Sequence, residues 1–278
     1  MNVLLCNDDG IHAAGIGSIF DALTDHHKTF GRPFADRVVP IAPLTVQSAT
    51  GHGITFRQPL ITTEIDVNER MSGTAVDGRP ADCVKLALAS LWPRRFGPGS
   101  RPDLVISGMN QGANVGINVL YSGTVAAAIE AAFLGVPAIA VSLHLGRGKA
   151  RYDLAAERAR RAIEALLGPA RGDAIRGILE PHTCLSINIP ITEREGPMPP
   201  IAICPMNVHG LVDAFAENTN PLGERYYWSA ATPMGFHATE AGSDVQELAA
   251  GKITVTPLRY DMTDAARLAY WRSRLAST

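Results

Sequence analysis

Apolar runs at 3–6, 38–42, 104–107 and 138–142 alternate with segments of helical period, and this rhythm constrains the chain more than any other feature. Each run is too short for a helix and apolar at nearly every position. A strand that is apolar on both faces must be covered on both, as in a parallel sheet flanked by helices. The intervening segments fit that role. Ile16, Ile19, Phe20 and Leu23 recur at i, i+3, i+4 and i+7. Pro80 suits the first turn of a helix running to about Leu91. A buried Ala-rich helix is expected over 124–134, and the 152–167 helix buries Ala155, Ala159, Ala162, Ile163 and Leu166. Its opposite face, with Glu157, Arg158, Arg160, Arg161 and Glu164, reads as solvated, Glu157 pairing Arg161 at i,i+4. The alternation predicts an α/β fold with a doubly wound, mostly parallel, Rossmann-like sheet in three layers.

Other segments are less regular. Pro40 weakens the second strand or marks a bulge. Residues 29–34 read as a loop and 53–64 as extended. Past about residue 185 the character changes: 185–189, 201–204, 226–229 and 252–256 are strand-like between Pro- and Gly-containing loops, and an amphipathic helix over 263–275 follows. The chain therefore reads as one domain, an α/β core at 1–184 followed by a strand-rich and helical extension at 185–278.

Composition narrows the function. The 278 residues are 46% hydrophobic and 19% charged, as in a globular protein. A formal net charge of −2 gives no electrostatic footprint for a nucleic-acid polymer or an anionic membrane. A phosphate ligand would need local donors or a metal. Cys6, Cys83, Cys184 and Cys204 form no C-x-x-C pair and read as reduced thiols in a reducing compartment. Asp8 and Asp9 interrupt the first apolar run, so no signal peptide is expected. The stretch 124–145 has the length of a membrane span, but Gly135 and Pro137 break it and Glu130 lies within it.

The chemistry sits where strands end. Asn7-Asp8-Asp9-Gly10 follow the first strand, and two adjacent acids repel unless a cation or a shared proton relieves them. All four are also turn formers, so a plain tight turn competes. Residues 42–48 follow the second strand and 107–116 the third; if the strands are parallel neighbours, the three loops meet in one crevice. They offer carboxylates, a hydroxyl and amide carbonyls, an all-oxygen set that selects Mg²⁺, Mn²⁺ or Ca²⁺ over zinc. Ser122 or Thr124 is a candidate N-cap for the Ala-rich helix, whose first N–H groups suit a phosphate. Gly108, Gly112 and Gly116 let the backbone approach an anion. A flexible connection with a merely structural cap is the competing reading. His12 could donate a proton to a leaving alkoxide or be a surface residue, and His52, near Ser48, stands likewise.

These residues also carry a resemblance. N-D-D-G at 7–10, A-P-x-x-x-x-S at 42–48, S-G-x-N-x-G-x-N at 107–114 and Y-S-G-T-V-A-A-A at 121–128 occur in the order found in the survival protein E (SurE) nucleotidase family, which the whole chain resembles. Further matches are P-A-D-C-V at 80–84, Tyr152-Asp153, N-I-P at 188–190 and T-P-L at 256–258 with D-M-T at 261–263. The resemblance implies a phosphatase acting on nucleoside monophosphates, 5′- and often 3′-esters, with one divalent cation per subunit, Mg²⁺ or Mn²⁺. By position, Asp8, Asp9, Ser48 and Asn110 would hold the metal, Asp8 and Asp9 would be catalytic, and Asn114, Ser122, Gly123 and Thr124 would contact phosphate. It also implies a cytoplasmic homodimer or homotetramer whose C-terminal elements are exchanged between subunits, giving the 185–278 extension an oligomerisation role. Departures are Ala14 for the usual Pro, Ala49 for Gly, Arg79 for a small residue and Leu222 for Arg; none removes a predicted ligand. Rival readings are a phosphatase using Asp8 as nucleophile through an aspartyl-phosphate, a phospho-accepting receiver module, and a noncatalytic phosphate-binding stress protein.

Overall fold

The first apolar run forms an interior strand of a nine-stranded sheet. A computed structural model describes residues 1–230 and 234–276. In chain order the elements are β1 (Asn2–Cys6), α1 (Ala14–Thr24), β2 (Arg37–Pro43), β3 (Ile61–Asp66), β4 (Ser72–Asp77), α2 (Pro80–Leu86), α3 (Trp92–Phe96), β5 (Leu104–Gln111), α4 (Gly123–Phe133), β6 (Ala138–Leu143), α5 (Tyr152–Leu167), α6 (Asp173–Arg176), β7 (Thr183–Ile189), β8 (Ile201–Ile203), β9 (Phe215–Thr219), β10 (Arg225–Ser229), α7 (Asp244–Ala249), β11 (Ile253–Arg259) and α8 (Ala265–Ala276). The strand order is β3-β4-β2-β1-β5-β6-β7-β11-β8. From β4 to β7 every neighbouring pair is parallel, while β3 runs antiparallel to β4 and β11 antiparallel to β7. The predicted doubly wound α/β fold is what forms.

Burial explains the centre. Val3, Leu4, Leu5 and Cys6 have no exposed surface, with β2 on one side and β5 on the other. Strand order reverses at β1, and such a switch point opens a crevice at the carboxyl ends of the strands. Pro40 stays in register with Leu5, and pairing with β4 starts only at Ile41, so its missing N–H costs no bond there.

The helices form two layers, α1 with α5 on one face and α2 with α4 on the other. The steps β5–β6 and β6–β7 run in the same direction, yet α4 and α5 cover opposite faces, so the two crossovers have opposite hands. The β1–α1–β2 and β5–α4–β6 units share the usual right-handed sense, which makes β6–α5–β7 the left-handed exception. This corrects the solvated face expected of α5. Arg160 is 1% exposed, because α5 packs against α1. Its guanidinium donates to Ala22 O and Arg32 O, both at 2.7 Å, and lies 3.7 Å from the centre of the Phe30 ring. Arg158 is also buried and donates to Thr192 Oγ1 at 3.2 Å. Arg161 with Glu157 does form the exposed i,i+4 pair.

Other boundaries shift for local reasons. Residues 53–60 have no regular structure, and the strand begins only at Ile61. The helix from Pro80 passes through a π-helical turn, Ala87–Leu91, into α3 instead of stopping. Among the described residues five elements go unforeseen: β4, a short 3₁₀ helix at Gly116–Leu120, α6, β9 and α7. Strands β7, β11 and β8 extend the sheet, whereas the β9–β10 hairpin and α8 have no buried residue.

Candidate active site

The turn after β1 is tied on every side. Asn7 Nδ2 donates to Gly10 O at 2.8 Å, and Gly10 has φ +93°, a conformation that favours glycine. Ile11 N–H donates to Pro43 O at 2.8 Å and Gln47 N–H to Asp8 O at 2.8 Å, which docks the exit of β2 on the exit of β1. Asp8 is buried, and its carboxylate accepts the hydroxyl and the backbone N–H of Thr124 at the start of α4. Burial drives the Asp8 pKa up to about 6; the Thr124 bonds oppose the rise and the Asp9 charge adds to it. Asp9 is partly buried, which raises its pKa too, against the pull of Gln111 N–H, which donates to Oδ2 at 2.8 Å.

The other predicted site residues fall at different distances from this pair. Gly123 abuts it: a Cβ there would lie 2.9 Å from Asp8 Cβ and 3.0 Å from Pro80 Cγ, so glycine is required for close packing. Ser122 is the N-cap of α4, its Oγ accepting from Val125 N–H at 3.1 Å. Asn110 sits at a register shift in β5, and its Nδ2 donates to Gly112 O at 2.7 Å, which leaves Oδ1 as the end available to a cation. Ser48 is exposed, next to the Gln47 that bonds Asp8. Asn114 lies one strand further along: its N–H donates to Asn188 Oδ1 at 2.8 Å and its Nδ2 to Ser142 Oγ at 2.9 Å. Ser142 is in turn the register partner of Asn110. Asp8, Asp9, Ser122, Gly123 and Thr124 are thus brought together, with Asn110 and Ser48 on flanking loops and Asn114 held in a buried amide cluster. His12 is exposed on the turn.

The donor set fits a hard cation. Asp8, Asp9, Asn110 and Ser48 offer only oxygen, two of the four anionic. Among the described residues no three His, Cys, Asp or Glu side chains are grouped to hold a metal, so a cation here would lean on the two carboxylates and neutral oxygens. Asp8 also occupies the positive end of α4, where an anion is favoured. A cavity of about 480 Å³ lies elsewhere, between α1 and α5; of its five carboxylates, Asp21, Asp25, Asp153 and Glu157 are paired with Arg70, Arg160, Arg151 and Arg161, and Glu195 is the fifth.

Comparison with known proteins agrees with the motifs. The profile of the family described as Survival protein SurE matches residues 3–210. The chain belongs to the SurE family. A protein named 5′-nucleotidase SurE from Heliobacterium modesticaldum is 42% identical over 95% of this chain and 88% of its own length. One of the same name from Solidesulfovibrio magneticus is 39% identical over 99% of this chain and 98% of its own length. The crystal structure of a SurE protein from Aquifex aeolicus superposes with a TM-score of 0.74 at 31% identity, covering 98% of this chain and all of that one.

Within this SurE fold three residues near the crevice escape sequence reasoning as site candidates. Glu130, seen only as the lone charge in an apolar stretch, is buried on α4 between His52 and Lys85. Tyr152, seen as a motif match, has its hydroxyl pKa raised by burial and then by the charge of Asp9. His144 follows the end of β6, where burial holds its pKa below the usual histidine range. The available signal was position: Tyr152 begins a helix and His144 directly follows a strand at the carboxyl edge of the sheet.

Proposed function

We propose that this SurE-family chain is a 5′-nucleotidase that hydrolyses nucleoside monophosphates to nucleoside and phosphate, 3′-esters included, with one Mg²⁺ or Mn²⁺ per subunit. The observation that carries the reading is the contact of buried Asp8 with Thr124. A helix start suited to phosphate stands against the Asp8 carboxylate, with Asp9 next in the chain, and these charges would repel a phosphate unless a divalent cation offset them. Asp8, Asp9, Ser48 and Asn110 hold the cation. When bound, it supplies positive charge to the phosphoryl oxygens and makes water a better nucleophile. Ser122 and Gly123, at the first turn of α4, orient the remaining phosphate oxygens, and Thr124 links that turn to Asp8. Asn114 acts from the buried cluster by fixing the 110–116 loop, with its own phosphate contact as the further role. Residues 1–184 carry this chemistry, and within the 185–278 extension, which also completes the sheet, the β9–β10 hairpin and α8 serve assembly into a homodimer or homotetramer. Four free, buried cysteines fit a cytoplasmic setting, and no helix among the described residues is long and apolar enough to cross a membrane.

The test is phosphate release from nucleoside 5′- and 3′-monophosphates by metal-stripped protein, with Mg²⁺, Mn²⁺, Ca²⁺ or Zn²⁺ restored one at a time. Release that requires Mg²⁺ or Mn²⁺ and disappears in Asp8→Asn is expected. Undiminished release by Asp8→Asn would overturn the assignment, and a trapped phospho-enzyme would move Asp8 to the nucleophile role.

A further inference from the structure

Ser48 lies on a strap, residues 44–60, that leaves β2 and crosses to the α2–α4 layer. At its near end Gln47 N–H is fixed to Asp8 O at 2.8 Å. Beyond Ser48 come three more anchors. Gly51 N–H donates to Tyr121 O at 3.0 Å. Thr55 gives its N–H and its hydroxyl to the Asp82 carboxylate, at 2.8 and 2.7 Å. His52 Nε2 meets Glu130 Oε2 at 2.8 Å, and its ring stacks on Phe133 with centroids 5.0 Å apart. Glu130 itself is only 2% exposed and takes Lys85 Nζ at 2.5 Å on its other oxygen. Burial works against its charge, but the bonds from His52 and Lys85 outweigh it and hold the pKa below the ordinary range. The carboxylate is thereby held through both oxygens, on the same helix whose first turn contacts Asp8.

We propose that Glu130 is a positioning residue for the cation site: by pinning His52 it fixes where Ser48 stands relative to Asp8 and Asp9. The proposal rests on Ser48 being a cation ligand, as read above. Ser48 is bracketed between Gln47, bonded to the exit of β1, and Gly51 with His52, bonded to α4 and its leading turn. Without the second bracket the hydroxyl swings with an exposed strap, and the cation keeps its carboxylates but loses a preorganised neutral ligand. Lys85 separates this role from ordinary helix packing, because it binds the other oxygen of Glu130 and does so from α2, not from the strap.

Binding of Mn²⁺ alone, followed by electron paramagnetic resonance of the free ion, tests this on metal-stripped protein. His52→Ala should weaken Mn²⁺ binding about tenfold, the low end for outer-shell changes. The Mn²⁺ needed for half-maximal phosphate release should rise to match, with kcat at saturating Mn²⁺ close to wild type. Lys85→Met should bind Mn²⁺ as wild type does. The double variant His52→Ala with Glu130→Gln should be no weaker than the weaker single variant, since both act through one contact. Wild-type affinity in His52→Ala, or an equal loss in Lys85→Met, overturns the proposal. If Asp8→Asn binds Mn²⁺ as tightly as wild type, the cation centre itself is misassigned and this proposal falls with it.

Discussion

Asp8 combines two demands that oppose each other. It must be buried to meet Thr124, and burial is what makes its charge costly. Its folded pKa of about 6 lies above the ordinary 3.8, so the folded chain holds the proton more tightly than the unfolded one. The stability this gives is complete below pH 3.8 and is lost as pH rises through about 6. The loss corresponds to about 3 kcal/mol. In EDTA-treated protein, Asp8→Asn should therefore be more stable than wild type at pH 8, the advantage opening between pH 4 and 6. Melting curves of the two proteins that stay parallel across that range would contradict the account. The two acids are legible in the sequence because they are adjacent and follow an apolar run. Thr124, which is 116 residues away, is legible as a candidate helix cap and, through the family resemblance, as a phosphate contact; that it bonds Asp8 depends on β1 and β5 being neighbours, which local pattern cannot state. Glu130 was hidden for the opposite reason, since one charge in an Ala-rich run carries no sign of its partners.

At the scale of elements, α5 shows where periodicity fails. Its 3.6-residue pattern separates small apolar positions from charged ones, and that pattern alone assigns Arg160 to water. The crossover to the α1 face puts a second helix against the charged side, and a long arginine stem can lie buried once its guanidinium finds carbonyls. Arg160 finds two, with Glu164 on the same helix at 3.1 Å. Arg160→Ala should destabilise the fold by about 3 kcal/mol, the usual result of stripping a buried charge network. Arg160→Lys should rescue little, because an ammonium cannot reach both carbonyls and Glu164 at once. Urea denaturation measures both, and a change under 1 kcal/mol on the first would show the network to be incidental. Element boundaries were readable where apolar runs were continuous, as in β1 and β6. They were not readable in β4, where Ser72, Gly73 and Thr74 give no apolar signal and the strand forms because β2 and β3 pair with it on either side.

The whole molecule leaves much apolar surface in water. Phe215, Leu222 and Trp228 on or beside the β9–β10 hairpin are 67, 84 and 67% exposed, and Trp271 and Leu275 on α8 are 58 and 78% exposed. Neither element contributes a buried residue to the core. Apolar surface on this scale marks an interaction site more often than a monomer's exterior. The proposed homo-oligomer would give it a partner of the same sequence, with the hairpin and α8 as the elements a second subunit covers. A buried large apolar side chain is worth about 1.5–3 kcal/mol, with Trp prominent among interface anchors. Replacing Trp228 and Trp271 together by Ser should then raise the subunit dissociation constant at least about a hundredfold. Sedimentation at micromolar concentration should find wild type as a dimer or tetramer and the double variant as a smaller species with an unchanged core, judged by circular dichroism. A wild-type chain that sediments as a monomer at every concentration would leave the hairpin and α8 without their proposed role.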